Sequence, residues 1–326
     1  MISMKKYDVI ALGELLIDFT DNGVSSQGNP LMEANPGGAP CNVLAMLTKL
    51  GAKTAFIGKV GDDMFGRQLK DALVEVGIGT DGLKMDPEFN TTLAFVHTYP
   101  NGDRDFSFYR KPGADMMLRT EDLDEELIRS CRLFHYGSLS MTDDGCLEAT
   151  KEAIRIAKEA GAIISFDPNL REPLWDGDLD RAKERISYGI SQCDVLKISD
   201  NEITWFSGKD SYDDGVAFLK EKYPNLKLIL VSMGPEGSMA FLGDEKSVVK
   251  PFLNPDTIET TGAGDTFCAC VLHYVLTHPE LDYDEDGLTQ MLTFANAAAS
   301  IITTRKGALR VMPDRTEVEA YLKENI

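Results

Sequence analysis

The chain has 326 residues, 43% hydrophobic and 26% charged, a balance typical of a folded protein. Its 33 basic and 53 acidic residues give a formal net charge of −20, which argues against sequence-independent binding to nucleic acid or to an anionic membrane surface. The length allows one large domain or two small ones, and no stretch approaches the ~18–20 apolar residues of a membrane span.

In chain order, short β-rich runs occur at Val9–Leu12, Thr54–Ile57, Leu133–Tyr136, Ile163–Phe166, Val195–Ile198 and Leu228–Ser232. Most are separated by helical patterns, among them Asn42–Leu50, Phe65–Val76, Leu147–Ala160 and Arg181–Gln192. Continuous apolar strands joined through helices predict a mainly parallel sheet covered on both faces, an α/β three-layer sandwich. Glycines 51, 77 and 161 follow helical patterns as left-handed caps would. The rhythm breaks where Thr91–Tyr99 and Asp105–Arg110 flank Asn101-Gly102-Asp103, a hairpin signal expected to project from the sheet as a flap. A second hairpin is expected from Ser238–Leu242 with Ser247–Phe252. No repeat or Pro/Ser-rich linker divides the chain, so residues 1–326 read as one domain with β-lid segments around 14–33 and 90–112.

The apolar start is broken by Glu14 and Asp18 and reads as a buried strand, not a leader. Cys41, Cys131, Cys146, Cys193, Cys268 and Cys270 lack CxxC spacing and sit mostly in apolar runs, as reduced cysteines of a cytoplasmic protein do. Four histidines and no His/Cys cluster make a zinc site improbable. Gly77-Ile78-Gly79-Thr80-Asp81-Gly82 fits G-x-G-x-x-G, but it follows a helix and not a strand, and is expected to be a helix cap and turn. Asp282–Gly287 resembles the front of a calcium loop, but its twelfth position is Thr293 where the bidentate Glu should stand.

Glu259-Thr260-Thr261-Gly262-Ala263-Gly264-Asp265-Thr266-Phe267 opens an apolar helix that runs through Leu276. Small residues at a helix start let backbone N–H groups approach an anion, and the dipole adds to the attraction. A first-turn carboxylate, Asp265, beside such an anion hole is what phosphoryl transfer to an alcohol requires. The bland alternative is a glycine-rich helix start with Asp265 merely favouring the dipole. Pro36-Gly37-Gly38-Ala39-Pro40-Cys41-Asn42 opens another helix, and the Asn42 amide offers a polyol both donor and acceptor. Asp18 closes the run Gly13–Asp18 with a carboxylate suited to two sugar hydroxyls, and ligands gather beyond the carboxyl ends of parallel strands.

These paired motifs resemble the signatures of the ribokinase-like (PfkB) carbohydrate kinases, with the strand–helix order agreeing over essentially the whole chain. Within that family the chain most resembles the fructokinases, through Gly13–Phe19, Phe108-Tyr109-Arg110, Pro112–Asp115, Phe134–Ser138 and Phe166–Arg171. The resemblance implies a ribokinase-like fold with a small β lid, and Asp265 as general base. Gly262, Ala263 and Gly264 would form the anion hole. Asp18, Gly37, Gly38 and Asn42 would grip the sugar, with Arg110 reaching in from the lid. Arg171 would face the ATP phosphates, Ser232, Gly234 and Gly237 would form the nucleotide loop, and Asn296 would flank the adenine.

Two departures stand out. Where the family commonly reads Asn-x-x-Glu, this chain has Ser199-Asp200-Asn201-Glu202; Glu202 keeps the carboxylate that would order Mg²⁺-bound water. Glu259 replaces the usual Asp in a stretch that, with Thr261 and a loop resembling Thr304–Gly307, coordinates K⁺ in many relatives, and its longer side chain counts against K⁺ activation. The resulting expectation is an ATP- and Mg²⁺-dependent fructokinase, a homodimer paired through lid edges. The rivals are 2-keto-3-deoxygluconate kinase, with Lys111 meeting the substrate carboxylate, ribokinase or aminoimidazole riboside kinase, and a non-catalytic sugar-binding regulator.

Overall fold

The computed structural model describes residues 5–98 and 104–325. The elements of the first half are β1 (Tyr7–Leu12), β2 (Leu16–Val24), β3 (Pro30–Gly37), α1 (Ala39–Lys49), β4 (Thr54–Gly61), α2 (Met64–Val76), β5 (Gly79–Asp86), β6 (Leu93–Thr98), β7 (Arg104–Tyr109), α3 (Glu125–Arg129), β8 (Cys131–Gly137) and α4 (Asp144–Glu159). The second half holds β9 (Ile163–Asp167), α5 (Leu179–Gln192), β10 (Val195–Ser199), α6 (Asp200–Ser207), α7 (Tyr212–Lys222), β11 (Leu228–Ser232), β12 (Ser238–Leu242), β13 (Glu245–Val249), α8 (Ala263–Thr277), α9 (Glu285–Ile302) and α10 (Arg315–Asn325).

Nine strands form the central sheet in the order β13-β12-β11-β10-β9-β8-β1-β4-β5. All pairings from β11 to β5 are parallel, and β12 and β13 extend one edge antiparallel. Strand alternation sends side chains to two cores. Val9 and Ala11 of β1 join the core under α1, α8 and α9, while Ile10 and Leu12 join the one under α4 and α5. Because both faces are covered by helices, the central strands are apolar on both sides, as their continuous apolar runs required.

A second sheet of order β3-β2-β6-β7 makes the lid. The hairpin expected around 91–110 is β6 antiparallel to β7, with Leu93 opposite Tyr109; its turn, Asn101-Gly102-Asp103, lies outside the described residues. The late hairpin is β12 with β13.

Two expectations change. The glycine-rich stretch after α2 is more than a cap and turn: Gly77 caps α2 in the left-handed conformation, but Gly79 starts β5, the edge strand beside β4. Its glycines and Asp81 weaken any strand pattern, and only the neighbour β4 makes it a strand. Asp18 does not close the first central strand. That strand ends at Leu12, and Asp18 lies in lid strand β2, opposite Asn35 of β3. No helix of the described residues is long and apolar enough to cross a membrane.

Candidate active site

A cleft of about 1090 Å³ runs over the carboxyl ends of β1, β8, β9, β10 and β11, between the sheet and the lid. Its walls include Asp18, Gly38, Asn42, Arg171, Ser199, Glu202, Ser232, Gly234, Gly237, Glu259, Thr261, Gly262, Ala263, Gly264, Asp265 and Asn296. Sixteen of the anticipated site residues, scattered from position 18 to 296, therefore share one wall system. Gly37 and Arg110 do not.

At the floor, Asp265 stands in the first turn of α8. The Asn42 amide nitrogen donates to Asp265 Oδ2 at 2.8 Å, joining the starts of α1 and α8. Asn42 Oδ1 is buried with no partner among the described residues. Desolvation pushes the Asp265 carboxyl up to about 6; the Asn42 hydrogen bond pulls the other way, Asp167 adds repulsion, and Lys197 and Arg171 offset part of it. Gly262 caps α8 at φ 76°, a left-handed position suited to glycine. The N–H of Ala263 donates to the Thr260 carbonyl at 3.2 Å, whereas those of Gly262 and Gly264 meet no acceptor among the described residues. The anion hole expected from three N–H groups thus has Gly262 and Gly264 open and Ala263 engaged.

Lys197 is the principal residue that sequence reasoning missed. Its ammonium lies 3.0 Å from Asp167 Oδ2, and a Cβ built on Gly264 would come within 3.5 Å of it. Burial works to lower its proton affinity, but Asp167 and Glu202 outweigh that and hold it protonated, above the ordinary lysine range. The signal was present: a lysine inside the apolar strand 195–199 needs a buried partner. Arg171 is the other cation on the wall; its exposed side chain makes no hydrogen bond or ion pair among the described residues.

At the lid end, alternate residues Leu16, Asp18 and Thr20 of β2 face the cleft with Asn35, Val96 and Phe108. Desolvation pushes the Asp18 carboxyl up to about 7, opposed by Arg171 and reinforced by Asp265 and Glu259. Gly37 is set behind this wall: a Cβ there would collide with Asp18 Oδ2, so its part is to admit the Asp18 carboxylate. Gly38 has φ 122°, and a Cβ there would strike the Glu14 backbone carbonyl. Glu14, also on the wall, accepts the Ala39 N–H at 2.8 Å at the start of α1.

Arg110 corrects the expectation of a lid arginine reaching the sugar. It is buried, with Nε 2.7 Å from Asp115 Oδ2, Nη1 donating to Thr142 Oγ1 at 2.9 Å and Nη2 to the Leu139 carbonyl at 3.0 Å. Asp115 also accepts from Thr92 Oγ1 at 2.5 Å, so the pair ties both roots of the β6–β7 hairpin to the body. A buried guanidinium needs such partners, and Asp115 supplies them five residues downstream.

At the far end, Ser199 and Glu202 form a capping box on α6, the Ser199 N–H donating to Glu202 Oε2 at 2.8 Å. Glu202 Oε1 accepts from the Leu170 N–H at 2.7 Å, which fixes the loop carrying Arg171. Glu259 Oε1 accepts from the Gly307 N–H at 2.8 Å, linking the two loops assigned to a monovalent cation. The Asn296 amide is wholly engaged, with Ser238 Oγ, the Val249 carbonyl and the Lys250 carbonyl. No cluster of three or more His, Cys, Asp or Glu able to hold a metal occurs among the described residues.

A buried carboxylate at an open helix start, beside two cations and under a lid, defines a group-transfer site for an anionic donor and a hydroxylated acceptor. Residues 6–315 match the pfkB family carbohydrate kinase model, and the chain belongs to that family. It is 42% identical over 318 residues to a probable fructokinase-2 of Arabidopsis thaliana, covering 97% of this chain and 95% of the relative. Among solved structures, the fructokinase of Xylella fastidiosa with bound ATP superposes with a TM-score of 0.88 at 31% identity, covering 97% of this chain and 98% of that one. The fructokinase of Vibrio cholerae in its fructose-, ADP- and calcium-bound form gives a TM-score of 0.84 at 28% identity, with 97% and 99% covered. A putative ribokinase II of E. coli follows at 0.86 and 26% identity, covering 98% and 99%, so the fold is ribokinase-like.

Proposed function

We propose that the chain, as one kinase domain, is an ATP-dependent fructokinase converting D-fructose and ATP to fructose 6-phosphate and ADP. The observation that carries the mechanism is the Asp265 carboxylate, hydrogen-bonded to Asn42 at the open start of α8. Asp265 takes the proton of the acceptor hydroxyl as that oxygen attacks the γ-phosphorus in line. The bond from γ-phosphorus to the β-phosphate oxygen breaks, and ADP leaves. The N–H groups of Gly262 and Gly264, with Lys197 beneath and Arg171 opposite, meet the charge on the transferring group; the Ala263 N–H joins them on release from Thr260. Asp18 and Asn42 grip the sugar hydroxyls, while Val96 and Phe108 form an apolar roof that excludes water.

The residues fit Mg²⁺ held largely by phosphates and water, since Glu202 keeps lone pairs toward the cleft but no all-protein cage exists among the described residues. Bound there, the ion would neutralise phosphate charge. Glu259 already bridges the loops of the monovalent-cation stretch, which supports K⁺-independent turnover.

The acceptor end favours a neutral sugar. Its wall carries Glu14 and Asp18, and the cleft's two cations are spoken for, Lys197 by Asp167 and Arg171 by the nucleotide phosphates. Lys111, which 2-keto-3-deoxygluconate would need, is 84% exposed beside Asp176 and is not on the wall. Asp265 and the helix start are intact, which weighs against a non-catalytic regulator.

The lid's other face supports a homodimer: Phe19 stacks on Phe95 with centroids 4.8 Å apart, next to exposed Tyr109 and Met32. Six separate, unpaired cysteines are consistent with the cytoplasm.

ADP release from MgATP with fructose, 2-keto-3-deoxygluconate, ribose and aminoimidazole riboside, each with and without K⁺, tests the reading. A kcat/KM for fructose at least tenfold above the others, about 1.4 kcal/mol, and indifferent to K⁺ is expected. A better rate with another sugar overturns the fructokinase assignment and leaves the phosphoryl-transfer mechanism standing.

A further inference from the structure

The acceptor end of the cleft holds a polar group that the transfer described above does not use. Asn35 lies on β3 directly opposite Asp18 of β2, and both residues are on the cleft wall. Opposed residues of an antiparallel pair bring their Cβ atoms to about 4.5–5.5 Å, close enough to touch neighbouring groups of one small ligand. The two side chains lean apart along the sheet. Asp18 leans toward Gly37, where a Cβ would meet its Oδ2, and Asn35 leans toward Thr20.

The Asn35 carboxamide is held in one orientation. Its Nδ2 donates to Thr20 Oγ1 at 2.9 Å and to the Glu33 carbonyl at 3.4 Å, which engages both amide hydrogens. Its Oδ1 receives no hydrogen bond among the described residues. Beside that oxygen stands Gly307, at φ 75°, where a Cβ would come within 3.3 Å of Oδ1. A glycine there lets its loop close against the carboxamide, and Glu259 fixes the loop by accepting the Gly307 N–H. Thr20 and Gly307 together leave a half-buried oxygen already oriented on the wall before a ligand arrives.

A sugar enclosed under the lid brings one hydrogen on each hydroxyl, and every buried one needs an acceptor. Asp18 and the unpartnered Asn42 Oδ1 supply two such acceptors. On the lid strands Thr20 Oγ1 already accepts from Asn35, so the open acceptor beside Asp18 is Asn35 Oδ1. We propose that Asn35 is a specificity-determining residue of the acceptor site, its Oδ1 taking the hydrogen of a sugar hydroxyl next to the one held by Asp18, with Thr20 orienting the amide. This rests on the sugar kinase reading above. No bond is made or broken at Asn35, and the proton of the reacting hydroxyl still goes to Asp265. An amide oxygen beside a carboxylate asks for donors, so this wall suits a polyol and offers nothing to a substrate carboxylate in the same place.

The test measures kcat and KM for fructose and for MgATP in the wild type, Asn35→Ala, Thr20→Val and the double variant. The fructose arm is repeated with analogues that each lack one hydroxyl other than the reacting one. Asn35→Ala is expected to raise the KM for fructose about threefold to tenfold, as loss of one neutral hydrogen bond does. An unchanged KM for MgATP reports an intact fold. One analogue is expected to bind the wild type more weakly and to lose nothing further in Asn35→Ala, because the hydroxyl that Asn35 receives is already gone. An unchanged KM for fructose, or an equal Asn35→Ala penalty with every analogue, overturns the inference. Thr20→Val is expected to give a smaller rise that vanishes once Asn35 is alanine; additive effects would overturn its orienting role. A wild type that does not phosphorylate fructose would instead overturn the fructokinase reading, so the two are separable.

Discussion

Asp265 owes its chemistry to neighbours that oppose one another. Desolvation and Asp167 push its proton affinity up, and Asn42, Lys197 and Arg171 hold it at about 6, close enough to neutral pH for a base that must both take and release a proton. Burial raises Asp18 to about 7, with repulsion from Asp265 adding to it. Because both must be ionised to act, kcat/KM is expected to fall as pH drops through the interval from about 7 to about 6, measurable as an acid limb in the fructose profile. Stability runs the other way. A carboxyl whose folded affinity exceeds its unfolded value of 3.8 makes the folded chain bind more protons, so stability declines as pH rises from about 4 to about 7. Asp265→Asn removes one such group. Turnover should drop roughly 10²–10⁴-fold, fructose binding should persist by calorimetry, and Tm at pH 8 should rise. Retained turnover would exclude Asp265 as the base. Lys197→Met should lower kcat about 10²–10³-fold with little change in the KM for fructose, if its ammonium serves the transferring phosphoryl group. It also strands Asp167, so Asp167→Asn/Lys197→Met should recover Tm but not kcat. Recovery of both would reduce the pair to a structural role.

Among the elements, the lid depends on a joint hidden at its root. Asp115 receives both Thr92 and Arg110, the residues flanking the β6–β7 hairpin, while Arg110 also binds Thr142 and the Leu139 carbonyl. Asp115→Ala leaves a buried guanidinium without its counter-charge and is expected to cost about 3–5 kcal/mol in denaturant unfolding. Loss of less than 1 kcal/mol would show that the root is not rigid. Elements such as β1, β8, β10 and α2 were legible because a central strand or an amphipathic helix repeats its instruction over many residues. The edge strand β5 was not, since its backbone is ordered by β4 and not by its own side chains. Arg110 was misplaced for a related reason: a family motif brings an arginine to the lid, but whether it turns toward the cleft or toward Asp115 depends on side-chain direction.

At the scale of the whole molecule, the lid carries Asp18 and Asn35 on one face and Phe19, Phe95, Tyr109 and Met32 on the other, so a second subunit seated on that outer face would couple its pairing to substrate enclosure through one thin sheet. Met32→Asp/Tyr109→Asp should shift the protein from dimer to monomer in sedimentation and raise the KM for fructose; an unchanged dimer would move the interface elsewhere. The amino-acid sequence by itself determined the layered α/β architecture, the lid hairpin, the helix start that carries Asp265, and the carbohydrate kinase class. The first three are encoded by hydrophobic period, a turn signal or contiguous small residues, which act locally, while the class came from the resemblance of the paired motifs to a known family. Only the tertiary structure decided that Lys197 sits beneath Gly264, that Arg110 serves the lid root, that Ala263 donates to Thr260, and that Asn296 is committed to β12 and β13. Those outcomes depend on which polar group reaches which partner across 3 to 67 positions of chain. That choice follows from the need to satisfy every desolvated charge and amide at once, and no local pattern records it.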